Sequence, residues 1–186
     1  MHRRMETVDR QNLRSDLVFK PDRFAIQLRI RGTGMLSDAF GAATCFLPAY
    51  SISRLPSDSD RQKACLVWLE AHLVSQGLSL FCKGVIRRPR PYAYSPFIFN
   101  TDKNDFTSFF SGHTTAAFTN AVLAGLWADD GLGRTGQAKR LWAGGLTLAA
   151  ATGVLRILSG NHFPTDVLAG AAVGCLAADL LYRLHH

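Results

Sequence analysis

An all-α fold, a bundle of about five helices (or six) crossing a membrane, is what this 186-residue sequence predicts. Three observations lead there. From Phe106 to Ala128 the chain runs 23 residues without Asp, Glu, Lys or Arg, and a membrane helix needs roughly 20 mostly apolar residues. Shorter uncharged runs cover Ala39–Ser53, Leu141–Leu155 and Val167–Ala178, and Ala64–Cys82 carries only Glu70 and His72. No alternation of apolar and polar residues persists long enough for a strand.

The elements follow in order. Residues 1–33 read as a basic, polar N-terminal segment, and 34–186 as a single helical domain. Helices are expected over about 34–53, 64–86, 107–128, 140–158 and 164–184. RLPSDSDRQK and ADDGLGRTGQAKR are polar turns. In the last three helices Gly and Ala are frequent, as in AGGLTLAAATG and LAGAAVGCLAA, and small residues let membrane helices approach closely. Residues 87–106, RRPRPYAYSPFIFNTDKNDF, hold three prolines and five aromatics; a connection this long without regular structure points to function. Glu70 and His72 read as a satisfied polar pair inside the bundle.

The mean hydropathy of +0.05 suits neither a typical soluble chain nor a strongly apolar one. The net charge of +7 does not imply a nucleic-acid partner, because the basic residues sit in small groups between apolar runs. The N-terminal stretch MHRRMETVDRQNLR lacks the apolar core of a signal peptide. Four cysteines, 45, 65, 82 and 175, form no CxxC pair and read as small core residues, with no disulfide framework and no zinc site.

Three polar constellations interrupt the apolar runs. In GVLRILSGNHFPTDVLAG, Arg156 closes one helix, His162 lies in the turn, and Asp166 falls in the first turn of the next helix behind Pro164. A carboxylate beside a histidine fixes one tautomer and makes the other ring nitrogen a better base or nucleophile; a capped helix with a surface histidine explains the pattern about as well. In SFFSGHTTAAF, Ser111 and Gly112 open the long apolar helix, whose N-terminus attracts anions, and His113 stands ready to give a proton. The plainer reading is a Ser cap with an incidental histidine. In CKGVIRRPRPY, Lys83 and Arg90 suit phosphate oxygens, whereas Arg87 and Arg88 read as a basic membrane flank. An up-and-down bundle brings the 2–3 and 4–5 connections to one end, so all eight groups converge on a site for a phosphate or similar oxyanion.

K-x6-RP, SGH and R-x5-H-x3-D, in this order, resemble the signature of the phosphatidic acid phosphatase type 2 superfamily, with its bacterial class A acid phosphatases and vanadium haloperoxidases; the resemblance covers about 64–184. Phe110 and Leu155 stand where that pattern usually has Pro and Ser. The resemblance implies a hydrolase without metal or cofactor. By the same resemblance His162 would attack phosphorus and become a phosphohistidine, Asp166 would orient it, and His113 would protonate the leaving oxygen. Lys83, Arg90, Ser111, Gly112 and Arg156 would bind the phosphoryl oxygens. A metal held by His113, His162 and Asp166 is disfavoured by the three cations around it.

A catalytic mouth at the end of a membrane bundle suits an amphiphile, either a lipid phosphate of the phosphatidic acid kind or a polyprenyl diphosphate. The aromatics of PYAYSPFIF would sit at the interface or pack the loop over the bundle. The family implies six spans and an outward-facing site in a bacterial inner membrane. Five helices are counted, so the sixth element would be an interfacial helix over 15–33 or a span further upstream. Positive charge does not sort the two ends: eight Lys and Arg precede residue 32, while Arg54, Arg61, Lys63, Arg134, Lys139, Arg140 and Arg183 occupy the other end. Three rival readings are a soluble non-specific acid phosphatase, a haloperoxidase, and a non-catalytic membrane binding or transport protein that kept the fold.

Overall fold

The computed structural model describes residues 13–95 and 103–186. Part of PYAYSPFIF therefore lies outside the described residues. The helices are α1 Thr33–Thr44, α2 Phe46–Ile52, α3 Asp58–Ile86, α4 Gly112–Leu132, α5 Gly136–Leu158 and α6 Pro164–His185. All the regular structure among the described residues is helical. The helix expected over 34–53 is divided at Cys45. Pro48 has no N–H to give the Thr44 carbonyl, which loosens the chain at that point.

Caps start the helices where the sequence provides hydroxyls. Ser57, Ser111 and Thr135 each accept a backbone N–H of the first turn of α3, α4 and α5. The chain passes up α3, down α4, up α5 and down α6, so the 3–4 and 5–6 connections and the start of α1 share one end.

α4 is the hub, packed against α1, α2, α3, α5 and α6. It begins at Gly112, later than the uncharged run from Phe106, because residues 107–111 form the approach to its cap. It is also the most buried helix, with Thr114, Thr115, Thr119 and Asn120 all fully enclosed. The sequence singled out this run as the strictest membrane candidate. Among the described residues, the three helices long and apolar enough to cross a membrane are instead Asp58–Tyr94, Gly136–Leu158 and Pro164–His185. They surround the hub, and their exposed leucines form an apolar outer surface. On α3 these include Leu66, Leu69, Leu73 and Leu80, and on α6 Leu168, Leu176 and Leu180.

Two glycines set how closely α6 approaches α4. A Cβ on Gly170 would stand 2.7 Å from the Ser111 carbonyl oxygen, and one on Gly174 would stand 2.5 Å from that of Thr115. The four-residue spacing puts both on one face, and contact of this kind needs backbones without side chains between them. Inside the bundle Asn120 Oδ1 accepts from Trp68 Nε1 at 2.8 Å and meets His72 Nε2 at 2.8 Å, while its amide donates to Thr44 Oγ1 at 3.1 Å. Glu70 faces another way and pairs with His185 at 2.8 Å. The two residues expected to pair with each other thus have separate partners, since positions two apart diverge around a helix.

The described part of the N-terminal segment is not a detached arm. Its 3-10 turns Ser15–Leu17 and Lys20–Gln27 lie against the bundle, where Val18 and Ala25 join a small core with Phe163, Ile26, Tyr94 and Ile157. Leu17, Phe19 and Phe24 stay exposed on its outer side.

Candidate active site

The end of the bundle holding the 3–4 and 5–6 connections collects the polar residues. Lys83 lies in the last turn of α3. A Cβ on Gly112 would meet Gln76 Oε1 at 3.1 Å, Lys83 Nζ at 3.2 Å and Ser79 Oγ at 3.3 Å, so the ammonium group rests against the bare backbone that opens α4. The first-turn N–H groups of α4 have no acceptor within the helix and present positive partial charge at the same place.

Arg90 precedes the turn Pro91–Tyr94. Its backbone N–H donates to the Asp105 carbonyl at 2.7 Å, and its guanidinium reaches Asn161 Oδ1 at 3.3 Å and Thr107 Oγ1 at 3.2 Å. Arg156 ends α5 and is only 7% exposed. It donates to Asp38 Oδ1 at 3.1 Å, and among the described residues its buried Nε has no acceptor. His113, half exposed, places Nε2 3.3 Å from the same Asp38 oxygen.

His162 is enclosed, at 1% exposure. Its Nδ1 lies 2.8 Å from the Ser108 carbonyl oxygen. A carbonyl only accepts, so Nδ1 carries the proton and Nε2 keeps the lone pair. Burial, reinforced by Arg90 and Arg156 and opposed by Asp166, pushes the imidazole down to about 4, leaving it neutral at physiological pH.

Asp166, in the first turn of α6, is fully buried. Its carboxylate accepts from the Phe163 N–H at 2.8 Å, Ser108 Oγ at 2.5 Å and Arg88 at 2.5 Å, and stands 3.9 Å from His162 Nδ1. Ser108 therefore adds a second link between the two: its backbone carbonyl holds the ring, and its hydroxyl holds the carboxylate that stands beside the same ring nitrogen.

Two further expectations change. Arg88 is not a free membrane flank. It bridges Asp166 and Asp22 Oδ2, the latter at 2.7 Å, and its guanidinium lies over the Phe163 ring at 4.3 Å. Ser111 is fully buried, and its Oγ is engaged with Thr114 N and Oγ1 at 3.4 and 2.9 Å, so its hydroxyl serves as the cap of α4. Tyr94 packs edge-on against Phe163, which favours loop packing over an interfacial role for that aromatic.

Sequence reasoning missed Ser108, Asp22 and Asp38. Asp22 is buried and accepts from Arg88, from the Thr165 N–H at 3.1 Å and from Thr165 Oγ1 at 2.6 Å, tying the N-terminal segment to the start of α6. Nothing in KPDRF marks it. Asp38 is the one acidic residue between Asp22 and Asp58, which was the available signal.

The model of the PAP2 superfamily matches residues 64–186, well over half of the chain. A lipid A 1-phosphatase from Porphyromonas gingivalis is 33% identical over 111 residues. That match covers 59% of this chain but only 23% of the relative, so the shared part is about a quarter of the relative's length. Among solved structures, LpxE from Aquifex aeolicus is similar at TM-score 0.63 and 22% identity, covering 88% of this chain and 93% of that one. A transmembrane PAP2-type phosphatidylglycerolphosphate phosphatase from Bacillus subtilis gives TM-score 0.64 and 20% identity, covering 89% and 82%. Both share the fold.

Proposed function

The chain belongs to the PAP2 superfamily, and from that premise we propose that it is an integral-membrane lipid phosphatase acting through a phosphohistidine, without a metal. The observation that carries this reading is His162: a buried, neutral imidazole whose Nδ1–H is fixed by the Ser108 carbonyl, leaving the Nε2 lone pair as the nucleophile. Pure binding of an oxyanion has no use for such a group.

The steps follow from the donors around it. The phosphoryl oxygens are held by Lys83, Arg90 and Arg156 and by the N–H groups opening α4 at Gly112, with Ser111 acting through its cap. His162 Nε2 attacks phosphorus. The bond to the leaving oxygen breaks as His113 Nε2 gives it a proton. Asp166 stabilises the positive charge that develops on the ring from 3.9 Å. His113 then takes a proton from water, which attacks the phosphohistidine, releases phosphate and restores the neutral ring. The three cations supply the charge that a metal provides elsewhere, and they disfavour a divalent ion in the same place.

An amphiphile suits the position at the end of a bundle with apolar flanks: the phosphate head enters, and the tails stay in lipid. The substrate class is a phosphate monoester or diphosphate of a membrane lipid, from phosphatidic acid-like and glycolipid phosphates to polyprenyl diphosphates. The same reading puts the protein in a bacterial inner membrane with the site facing outward.

Phosphate release from a panel of these lipids, by detergent-solubilised protein in EDTA, tests the proposal. Release that persists in EDTA and disappears in His162→Ala is the expected result. Absence of release from every lipid by folded protein would reject it.

A further inference from the structure

We propose that Asp38 is a built-in competitor for the phosphoryl group: in the resting enzyme its carboxylate takes the place of a substrate oxygen between His113 and Arg156. This rests on the phosphatase reading above. A single oxygen, Oδ1, meets both His113 Nε2 at 3.3 Å and Arg156 at 3.1 Å. These are the group that protonates the leaving oxygen and a group that binds the phosphoryl oxygens. A carboxylate oxygen that accepts from Arg156 and lies beside the His113 ring nitrogen presents the charge that a phosphoryl oxygen would.

Its placement fits a displaceable ligand better than a permanent structural partner. Asp38 comes from α1, outside the stretch matched by the family model. Its side chain is 59% exposed, whereas the Arg156 side chain behind it is only 9% exposed. Of the two, Asp38 is therefore the partner that solvent reaches. By contrast, the carboxylates that hold the site together, Asp22 and Asp166, are fully buried and bonded on several sides. Arg156 also keeps one buried donor, Nε, without an acceptor among the described residues, so Asp38 occupies the arginine only in part.

An arriving phosphate must therefore displace Asp38 and then remain beside its negative charge. Like charges placed together weaken binding. Removing the charge while keeping the shape should relieve both costs. The carboxylate thereby sets a threshold: a dianionic monoester or a diphosphate overcomes it, and a singly charged phosphodiester does so least well.

The test uses the full-length protein in detergent micelles, with inorganic phosphate as the probe. Its inhibition constant is measured for wild type, Asp38→Asn and Asp38→Glu, beside kcat and KM for the best lipid monoester and turnover of a phosphodiester lipid. For Asp38→Asn the expected result is phosphate binding tighter by about tenfold, a matching fall in KM, and a smaller preference for monoester over phosphodiester. Asp38→Glu should stay within about threefold of wild type, because the charge remains. If wild type turns over lipid phosphate but Asp38→Asn binds phosphate no more tightly, the proposal is wrong. A fall in kcat alone, with phosphate inhibition unmoved, also overturns it and makes Asp38 a positioning residue for His113. No turnover by any form, including wild type, would reject the phosphatase reading on which it rests.

Discussion

His162 and Asp166 stand 3.9 Å apart, nitrogen to oxygen, with Ser108 joining them: its carbonyl takes the histidine proton and its hydroxyl binds the carboxylate. The ring is therefore oriented by backbone, which no side-chain substitution removes. Ser108→Ala should keep the His162 tautomer and lower kcat only modestly, by about tenfold. Asp166→Ala removes the opposing charge and leaves partly buried Arg88 without one of its two carboxylates, so its loss should be about a hundredfold or more. Phosphate release at saturating substrate measures both. Equal losses would contradict the two-part arrangement.

Arg88 is the keystone of a buried charge network linking Asp22 and Asp166. Arg88→Ala strands two fully buried carboxylates, which should destabilise the protein by about 3–5 kcal/mol. Arg88→Lys should rescue little, because one ammonium group cannot reproduce the planar fork that serves both acids. Thermal unfolding in detergent reads this directly. Wild-type stability in Arg88→Ala would show that the N-terminal segment is not latched through this residue.

The pH dependence follows from His162. Its folded value is depressed to about 4, whereas the unfolded chain takes up the proton near the ordinary value of about 6.5. The buried neutral ring thus contributes stability that is fully present above pH ~6.5 and is lost as pH falls towards ~4, on the order of 3 kcal/mol in all. Phosphoenzyme formation should accordingly persist at pH ~5 and fail below ~4. Unfolding curves between these limits should flatten in His162→Gln. An unaltered slope would show that the ring is not buried neutral.

Close approach makes two glycines sensitive to a side chain, and open space makes a third one improvable. Gly174→Ala drives a methyl group to 2.5 Å from the Thr115 carbonyl and should cost about 1–3 kcal/mol by parting α4 from α6. Gly112→Ala presses on Lys83 and Gln76 and should raise KM with little change in fold. Gly77, in the middle of α3 with open space around its Cβ position, should gain about 0.5–1 kcal/mol when changed to Ala. Melting temperatures of the three variants separate these outcomes.

Much of this was legible in the sequence, for physical reasons. Uncharged runs and prolines mark helix limits locally, so at the site end α3 and α5 stop at Ile86 and Leu158 and α6 starts at Pro164, as expected. Antiparallel packing then brought Lys83, Arg90, His113, Arg156, His162 and Asp166 to one end, because an up-and-down bundle puts alternate connections on the same side. What could not be read was which basic residue does which task. Arg88 and Arg90 are two positions apart in one loop, and only the tertiary placement of Asp22 and Asp166 assigns Arg88 to the network. Ser108 acts partly through its backbone carbonyl, which carries no sequence signal at all. The uncharged run at 106–128 looked like the best membrane span because lack of charge does not distinguish lipid from protein surroundings. Its threonines and Asn120 are satisfied only inside the bundle.

The most direct test of the account is to capture the phosphoenzyme. Protein quenched during turnover of a labelled lipid phosphate in EDTA should carry one phosphoryl group that is labile to acid and stable to base, and peptide mapping should place it on His162. His113→Ala should both form the adduct and release it more slowly, because the residue serves each step. A label on another residue, or none while wild type releases phosphate, would contradict the phosphohistidine mechanism.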